Sequence, residues 1–454
     1  MGDALGQRAI VIGGSIAGLA VARVLAGHFA EVVVLERDLF EPGPAPRKAV
    51  PQARHIHALL ASGHRVLSAL FPGFTEHLKR SGATRNRVGV DTAYYFRDGK
   101  AYTLFGAWRE PCDTGIDVYS QSRPLIEHLV RRGTMALPNV AVETGADATS
   151  LQLADGRVRA VRWVGRDGER TLEADLVVDA GGRGSRTRRW LAALGYPSPP
   201  ETRLGVNVGY ASTRYRIPAD YEDAARLVLV VSADSPTGGV LQEIEDRAWI
   251  VSLGARFGGP PPVDEAGFLA LARSLHSPRI HELIAGAERL EDIAGYRYQT
   301  SVWQHYERVR GLPTRLLVLG DALCTFNPLW GQGMTVALLQ AEALGTLLQR
   351  RRPDGGGLDR LGRDFFRAAA GVIAPAWTLA AGLDLAYPQT VGERPRFMAL
   401  RARYAAALDA LASRDPQLTR QLYEVYHLLT PPSALTAPTL LGRALVRMGR
   451  DLRA

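Results

Sequence analysis

The chain has 454 residues, enough for more than one lobe with separate cores. Its 46% hydrophobic and 22% charged residues sit at globular averages and exclude wholesale disorder, collagen-like repeats and coiled coil. Lys and Arg total 55 against 46 Asp and Glu, a net charge of +9 spread along the chain; this suits anionic cofactors or solubility and, with no motif beside it, gives nucleic acid no support.

Ala9-Ile10-Val11-Ile12 reads as a buried strand running into Gly13-Gly14-Ser15-Ile16-Ala17-Gly18 and a helix through Leu19, Val21, Val24 and Leu25. A second strand, Glu31 to Leu35, ends at Glu36, 23 positions after Gly13. Strand, glycine turn, helix, strand and acid are the parts of a dinucleotide-binding βαβ unit. The turn and helix N-terminus face a pyrophosphate, and the acid accepts ribose hydroxyls. Ser15 stands where the middle glycine of that fingerprint is usual. Gly13 to Ala17 also comes close to a nucleophile elbow, but an elbow needs earlier strands and an oxyanion loop before it. No basic stretch with a cleavable apolar core precedes the first strand, so a cytoplasmic, reducing location is the expectation.

Ala174 to Gly182 has the pattern of a strand ending in a glycine turn, followed by Arg183, Arg186, Arg188 and Arg189, a basic turn suited to phosphate or a reduced nicotinamide carrier. Leu316-Leu317-Val318-Leu319-Gly320-Asp321 is a further strand, followed by Pro328, Gly331 and Gly333 before an apolar helix. Asp321 can accept hydrogen bonds from a polyol, and the glycines let backbone N–H groups and a helix dipole approach an anionic ring. With only Cys112 and Cys324, and His55 and His57 as the tightest pair among 10 His, neither a disulfide framework nor a metal site is expected. The longest uncharged segment, Ala368 to Leu383, falls short of the ~20 residues that span a bilayer. Leu440 to Arg450 mixes apolar and cationic positions as a membrane-surface helix would, so peripheral membrane contact stays open beside packing on its own lobe.

These three segments, in this order and spacing, resemble the class A flavoprotein monooxygenases, the family of para-hydroxybenzoate hydroxylase that includes squalene epoxidase. The resemblance implies FAD, with Gly13, Ser15, Ile16 and Gly18 as the pyrophosphate turn, Glu36 at the ribose and Asp321 at the ribityl chain. Arg123, at the start of a helix in Ser122-Arg123-Pro124-Leu125, matches the family's FAD-contacting arginine. The implied cofactor set further takes in Arg37, Arg47, Gly320, Pro328, Gly331, Gly333 and Met334, with Trp330 as a residue lining the ring or substrate. The chain departs from the family at Gly181, where Asp-Gly is usual, and at Cys324, where His is usual; an inert Cys is the expectation. The loop Arg47 to His57 resembles that of bacterial polyether epoxidases.

The expected fold is α/β: a Rossmann-like FAD-binding lobe with an inserted, mostly antiparallel β-sheet substrate lobe and a helical C-terminal region. The FAD lobe would use residues 1–90, 115–190 and 295–355, the covering sheet 91–114 and 191–294, and the helical region 356–454.

The resemblance implies monooxygenation: one oxygen atom of O2 passes to an electron-rich substrate through a flavin C4a-hydroperoxide, with NADPH or NADH as electron donor and no protein nucleophile. The polyether-epoxidase loop and the aromatics Tyr94, Tyr95, Phe96, Phe105 and Trp108 favour a large lipophilic substrate, epoxidised at an alkene in secondary metabolism. Hydroxylation of an aromatic polyketide is the first alternative. Alkene reduction is the second, because Asp179-Ala180-Gly181-Gly182 also resembles a turn of isoprenoid reductases.

Overall fold

The structure is a computed structural model that describes residues 4–95, 101–102, 112–218, 225–231, 235–352 and 357–451. A five-stranded parallel sheet runs in the order Leu316–Val318, Leu176–Asp179, Gly6–Ile12, Phe29–Glu36, Val140–Thr144. Ile10 lies between Val33 and Val177, and Val177 faces Leu316, so strands distant in sequence stand side by side. Their near-continuous apolar runs follow from burial on both faces. The helix Ile16–Leu25 packs against Gly333–Gln349, which in turn packs against the long helix Gly357–Leu385.

A second, mostly antiparallel sheet runs through Cys324–Thr325, Ala294–Gln304, Glu201–Arg216, Trp249–Arg256, Thr237–Glu243, Leu227–Val230, Thr92–Tyr95 and Ala101–Tyr102. The α/β class expected from the sequence is therefore present, with one shift of boundary. Residues 295–304, expected in the FAD lobe, form a strand of the large sheet, pairing with Glu201–Arg216 from Ala294↔Ser212 to Gln304↔Glu201. That strand also pairs with Cys324–Thr325, just after Asp321, which anchors the large sheet over the carboxyl ends of the parallel strands. A three-stranded sheet, Asp147–Ala154, Arg157–Gly165 and Gly168–Glu173, extends the first lobe.

The C-terminal region is helical: Gly357–Leu385, Met398–Ala412, Pro416–Tyr426 and Pro438–Asp451. The first of these runs 29 residues, well past the uncharged stretch, and by length and composition alone could cross a membrane, the one such helix among the described residues. Its stripe Leu361, Phe365, Ala369, Ile373, Ala376 and Ala380 recurs every three or four residues and is buried in the main core. Of the aromatics expected to favour a lipophilic substrate, Phe96, Phe105 and Trp108 lie outside the described residues.

Candidate functional site

A cavity of about 500 Å³ opens where the carboxyl ends of the parallel strands meet the large sheet. That is the edge at which open α/β sheets bind ligands. Its wall includes Gly13, Ser15, Ile16, Glu36, Arg37, Arg47, Arg123, Asp321, Pro328, Gly331, Gly333 and Met334. Gly18, Gly320 and Trp330 are not among the lining residues. Gly18 allows the helix to sit on the glycine turn, since a Cβ there would lie 1.8 Å from the Gly13 carbonyl oxygen. Gly320 takes φ +63°, and its N–H donates to Gln340 Oε1 at 2.9 Å. The Trp330 indole N–H points instead to Asp384, at 3.0 Å.

At the phosphate end, Gly13 adopts φ +102° with no room for a side chain against the Ala180 carbonyl. Helix Ile16–Leu25 begins there with no acid in its first turn and no side-chain cap, leaving N-terminal N–H groups for an anion. Ser15 is bonded sideways: its hydroxyl donates to Glu127 Oε2 at 3.1 Å and accepts from Arg123 NH2 at 2.8 Å. Glu127, given no role by the sequence reading, also accepts from Arg123 NH1 at 2.8 Å and from Arg47 Nε at 2.6 Å. Burial opposes its charge, yet Arg123 and Arg47 hold its carboxyl down to about 2. The available signal was the one-turn spacing from Arg123. The Arg47 NH2 nitrogen is buried with no hydrogen-bond partner among the described residues, although the side chain lines the cavity. An anion would satisfy it.

Glu36 is buried and already busy: Oε2 accepts from the Gly14 N–H at 2.7 Å and Oε1 from the Asp38 N–H at 2.9 Å. It therefore shapes the glycine turn; Oε1 also faces Arg47 NH1 at 3.4 Å, whereas Oε2 keeps a lone pair for a ribose hydroxyl. At the far end, desolvation raises the Asp321 carboxyl above its usual range despite the pull of Arg183 and Arg123, and a polyol hydroxyl would relieve that cost. Helix Gly333–Gln349 opens on the cavity with neither an acid nor a side-chain cap, and Gln332 Oε1 beside it is buried and unpartnered among the described residues. Gly331 takes φ +63°, where a Cβ would press on Ala58 at 2.7 Å.

The large sheet contributes Tyr210, Tyr296 and Tyr298, which sequence reasoning did not single out. Burial pushes all three phenols up. Arg183 lies over the rings of Tyr296 and Tyr298, 5.5 and 5.9 Å from their centroids, and donates to the Tyr296 hydroxyl. From the loop 47–57, His57 lines the cavity while its Nδ1–H donates to the His55 carbonyl at 3.0 Å. Burial, with Arg123 nearby, depresses it to about 3. His55 packs edge-on to Tyr210, shares a 2.8 Å hydrogen bond with Ser212 and is held down to about 4, first by burial and then by Arg54. Burial also pushes the Cys324 thiol well up, so it stays protonated. Among the described residues no cluster of His, Cys, Asp and Glu could hold a metal ion.

Two uncapped helix N-termini, an unsatisfied arginine nitrogen, a glutamate and an aspartate on one cavity wall offer the anion and hydroxyl contacts that FAD would need. The comparisons agree. A family model described as FAD binding domain matches residues 7–352. Protein Rv3254 of Mycobacterium tuberculosis is 32% identical over 97% of this chain and 93% of its own length. The 6-hydroxy-3-succinoylpyridine 3-monooxygenase of Pseudomonas putida is 27% identical over 80% of this chain and 84% of its own, and squalene epoxidase 2 of Arabidopsis thaliana 25% over 83% and 60%. Among solved structures, the p-nitrophenol 4-monooxygenase of Pseudomonas putida superposes with a TM-score of 0.65 at 19% identity, covering 94% of this chain and 99% of that one. The chain thus belongs to the FAD-binding-domain family and is a FAD-dependent monooxygenase of the class A flavoprotein group.

Proposed function

We propose that the enzyme epoxidises an alkene in a large lipophilic molecule, with a reduced nicotinamide nucleotide as electron donor. The observation that carries this reading is the aromatic side of the cavity: Tyr210, Tyr296 and Tyr298 held protonated, His57 held neutral beside them and a neutral His55 packed behind Tyr210, with Arg183 lying over two of the rings. A phenol substrate is activated by losing its proton, and histidines depressed to about 3 and 4 are weak bases for that task. A neutral double bond needs no such base. The squalene epoxidases among the relatives accord with this choice.

Bound FAD supplies the redox chemistry with O2. The chain's own part is to hold and to exclude. Arg47, Arg123 and the N–H groups at Ile16 would hold the phosphates, Asp321 the ribityl chain and the 331–334 turn the ring, while the tyrosines would keep bulk water from the substrate side of the cavity. Arg37, Arg183 and Arg186 on the cavity wall offer cations to the phosphates of an incoming donor. Two buried free thiols, Cys112 and Cys324, are in keeping with a cytoplasmic location.

The test incubates polyenes and polyketides with the protein, FAD, NADH or NADPH and labelled O2, followed by mass spectrometry. Gain of one labelled oxygen at a double bond is the expected result. Label on an aromatic ring would replace epoxidation with hydroxylation, and reduction of the alkene without label would overturn oxygenation of that substrate.

A further inference from the structure

We propose that Asp384, at the end of the long helix Gly357–Leu385, is a positioning residue for the flavin-facing turn 327–331, so that the helical region completes the FAD site from beyond the span matched by the family. The inference rests on the FAD assignment and not on the identity of the substrate.

Asp384 is 1% exposed, and one of its oxygens carries three hydrogen bonds. Oδ1 accepts from Arg256 NH1 at 2.8 Å, Asn327 Nδ2 at 2.7 Å and the Trp330 indole N–H at 3.0 Å. Arg256 ends the strand Trp249–Arg256 of the large sheet, whereas Asn327 and Trp330 bracket the 3₁₀ turn Pro328–Trp330. Asn327 then closes that turn from within, its Oδ1 accepting from the Leu329 N–H at 3.2 Å. The same turn puts Asn327, Pro328, Gly331 and Gln332 on the cavity wall. The carboxylate thus grips the back of the turn whose front faces the cofactor.

The grip is fixed on every side. The Arg256 guanidinium lies between the rings of Trp330 and Tyr387, 5.0 and 4.7 Å from their centroids. Thr390 Oγ1 donates to the Asp384 carbonyl at 2.5 Å. One residue on, Val391 and Gly205 exchange backbone hydrogen bonds of 2.6 and 3.1 Å, next to the irregularity in the strand Glu201–Arg216. Asp384 Oδ2, by contrast, has no hydrogen-bond partner among the described residues. A buried carboxylate satisfied on one oxygen only is a costly way to fill space. It is an effective way to aim three donors at one point, and two of those donors belong to the flavin turn.

The experiment compares the FAD-loaded wild-type protein with Asp384→Asn, Trp330→Phe and the double variant, reading FAD dissociation constant, visible spectrum of bound flavin and Tm. Asp384→Asn keeps an accepting oxygen but removes the charge from three hydrogen bonds, so it is expected to weaken FAD binding roughly ten-fold; Trp330→Phe removes one donor and is expected to weaken it about three-fold. Both shift the flavin absorption bands, and the double variant loses less affinity than the two single losses added together, because both changes act on the same indole–carboxylate contact. A lowered Tm in Asp384→Asn with wild-type FAD affinity and spectrum would make the residue merely structural and overturn the proposal. Should that variant not fold, Trp330→Phe and Arg256→Lys decide: wild-type affinity and spectrum in both overturn it. A wild-type protein that failed to bind FAD would instead sink the cofactor assignment itself.

Discussion

Glu127 shows how much of a binding site can hang on one residue that contacts no ligand. It sits under Arg47, Arg123 and Ser15 and keeps two buried cations ordered where phosphates would lie. Glu127→Ala would take from Arg123 its carboxylate partner and leave Arg47 only the 3.4 Å contacts to Glu36 and Asp38, and breaking a buried pair in this way costs about 3–5 kcal/mol. A marked drop in denaturation midpoint together with flavin loss on gel filtration is expected; a variant that keeps both would count against this role. Gly18→Ala probes the glycine turn: a methyl aimed at the Gly13 carbonyl forces the helix off the turn at a cost of about 1–3 kcal/mol, again with lower flavin content per protein. The glycine turn with Gly13, Ser15 and Gly18 was legible because fingerprint spacing reports backbone needs, whereas Arg123 was expected at the site from the family resemblance and Asp321 as the acid that ends a strand. Tyr210 and Asp384 were not, since their partners lie more than 50 positions away, and for Glu127 the one-turn spacing from Arg123 was the only local trace of a role that also needs Arg47, 80 positions away.

At the scale of elements, the strands of the parallel sheet and the helix after Gly333 were readable as apolar runs broken by glycine. The strand Ala294–Gln304 was not. It alternates between the cavity and the outer face, and its register is set by the strand Glu201–Arg216, far earlier in the chain, so the expected layout kept it with the FAD lobe. The three-stranded sheet 147–173 escaped for a related reason: its outer strand Gly168–Glu173 is exposed and polar and the other two are buried only at alternate positions or in part, and burial is what writes a strand into a sequence. The long helix Gly357–Leu385 offers a test of packing. Ile373 is fully buried in the main core, so Ile373→Ala should cost about 2–5 kcal/mol, read as a lower midpoint in urea with flavin still bound at low denaturant. No change in midpoint would mean that this helix face is not packed as described.

For the molecule as a whole, buried neutral histidines set the response to acid. His55, His57 and His427 are depressed from 6.5 to about 4, 3 and 4, chiefly by burial. The unfolded chain therefore binds protons at these sites from pH 6.5 downward while the folded chain refuses them, so stability is intact above that pH and drains away as pH falls toward 4. At about pH 5 each histidine contributes a loss on the order of 2 kcal/mol. Thermal melts should move down by several degrees between pH 8 and 5, and a melt flat across that range would contradict the burial of these imidazoles. Glu127, held near 2, adds its own loss only at lower pH, below the ordinary glutamate value of 4.5.

The interleaving of the parallel sheet carries a consequence for biosynthesis. The strand Gly6–Ile12 leaves the ribosome first, but its neighbour Leu176–Asp179 stays an open edge until Leu316–Val318 has been translated. While residues 180–318 are being made, the nascent polypeptide therefore presents one unpaired edge of a short, buried strand, Leu-Val-Val-Asp. Expression of this enzyme should accordingly respond to chaperone supply and to slower translation more than its final stability would suggest.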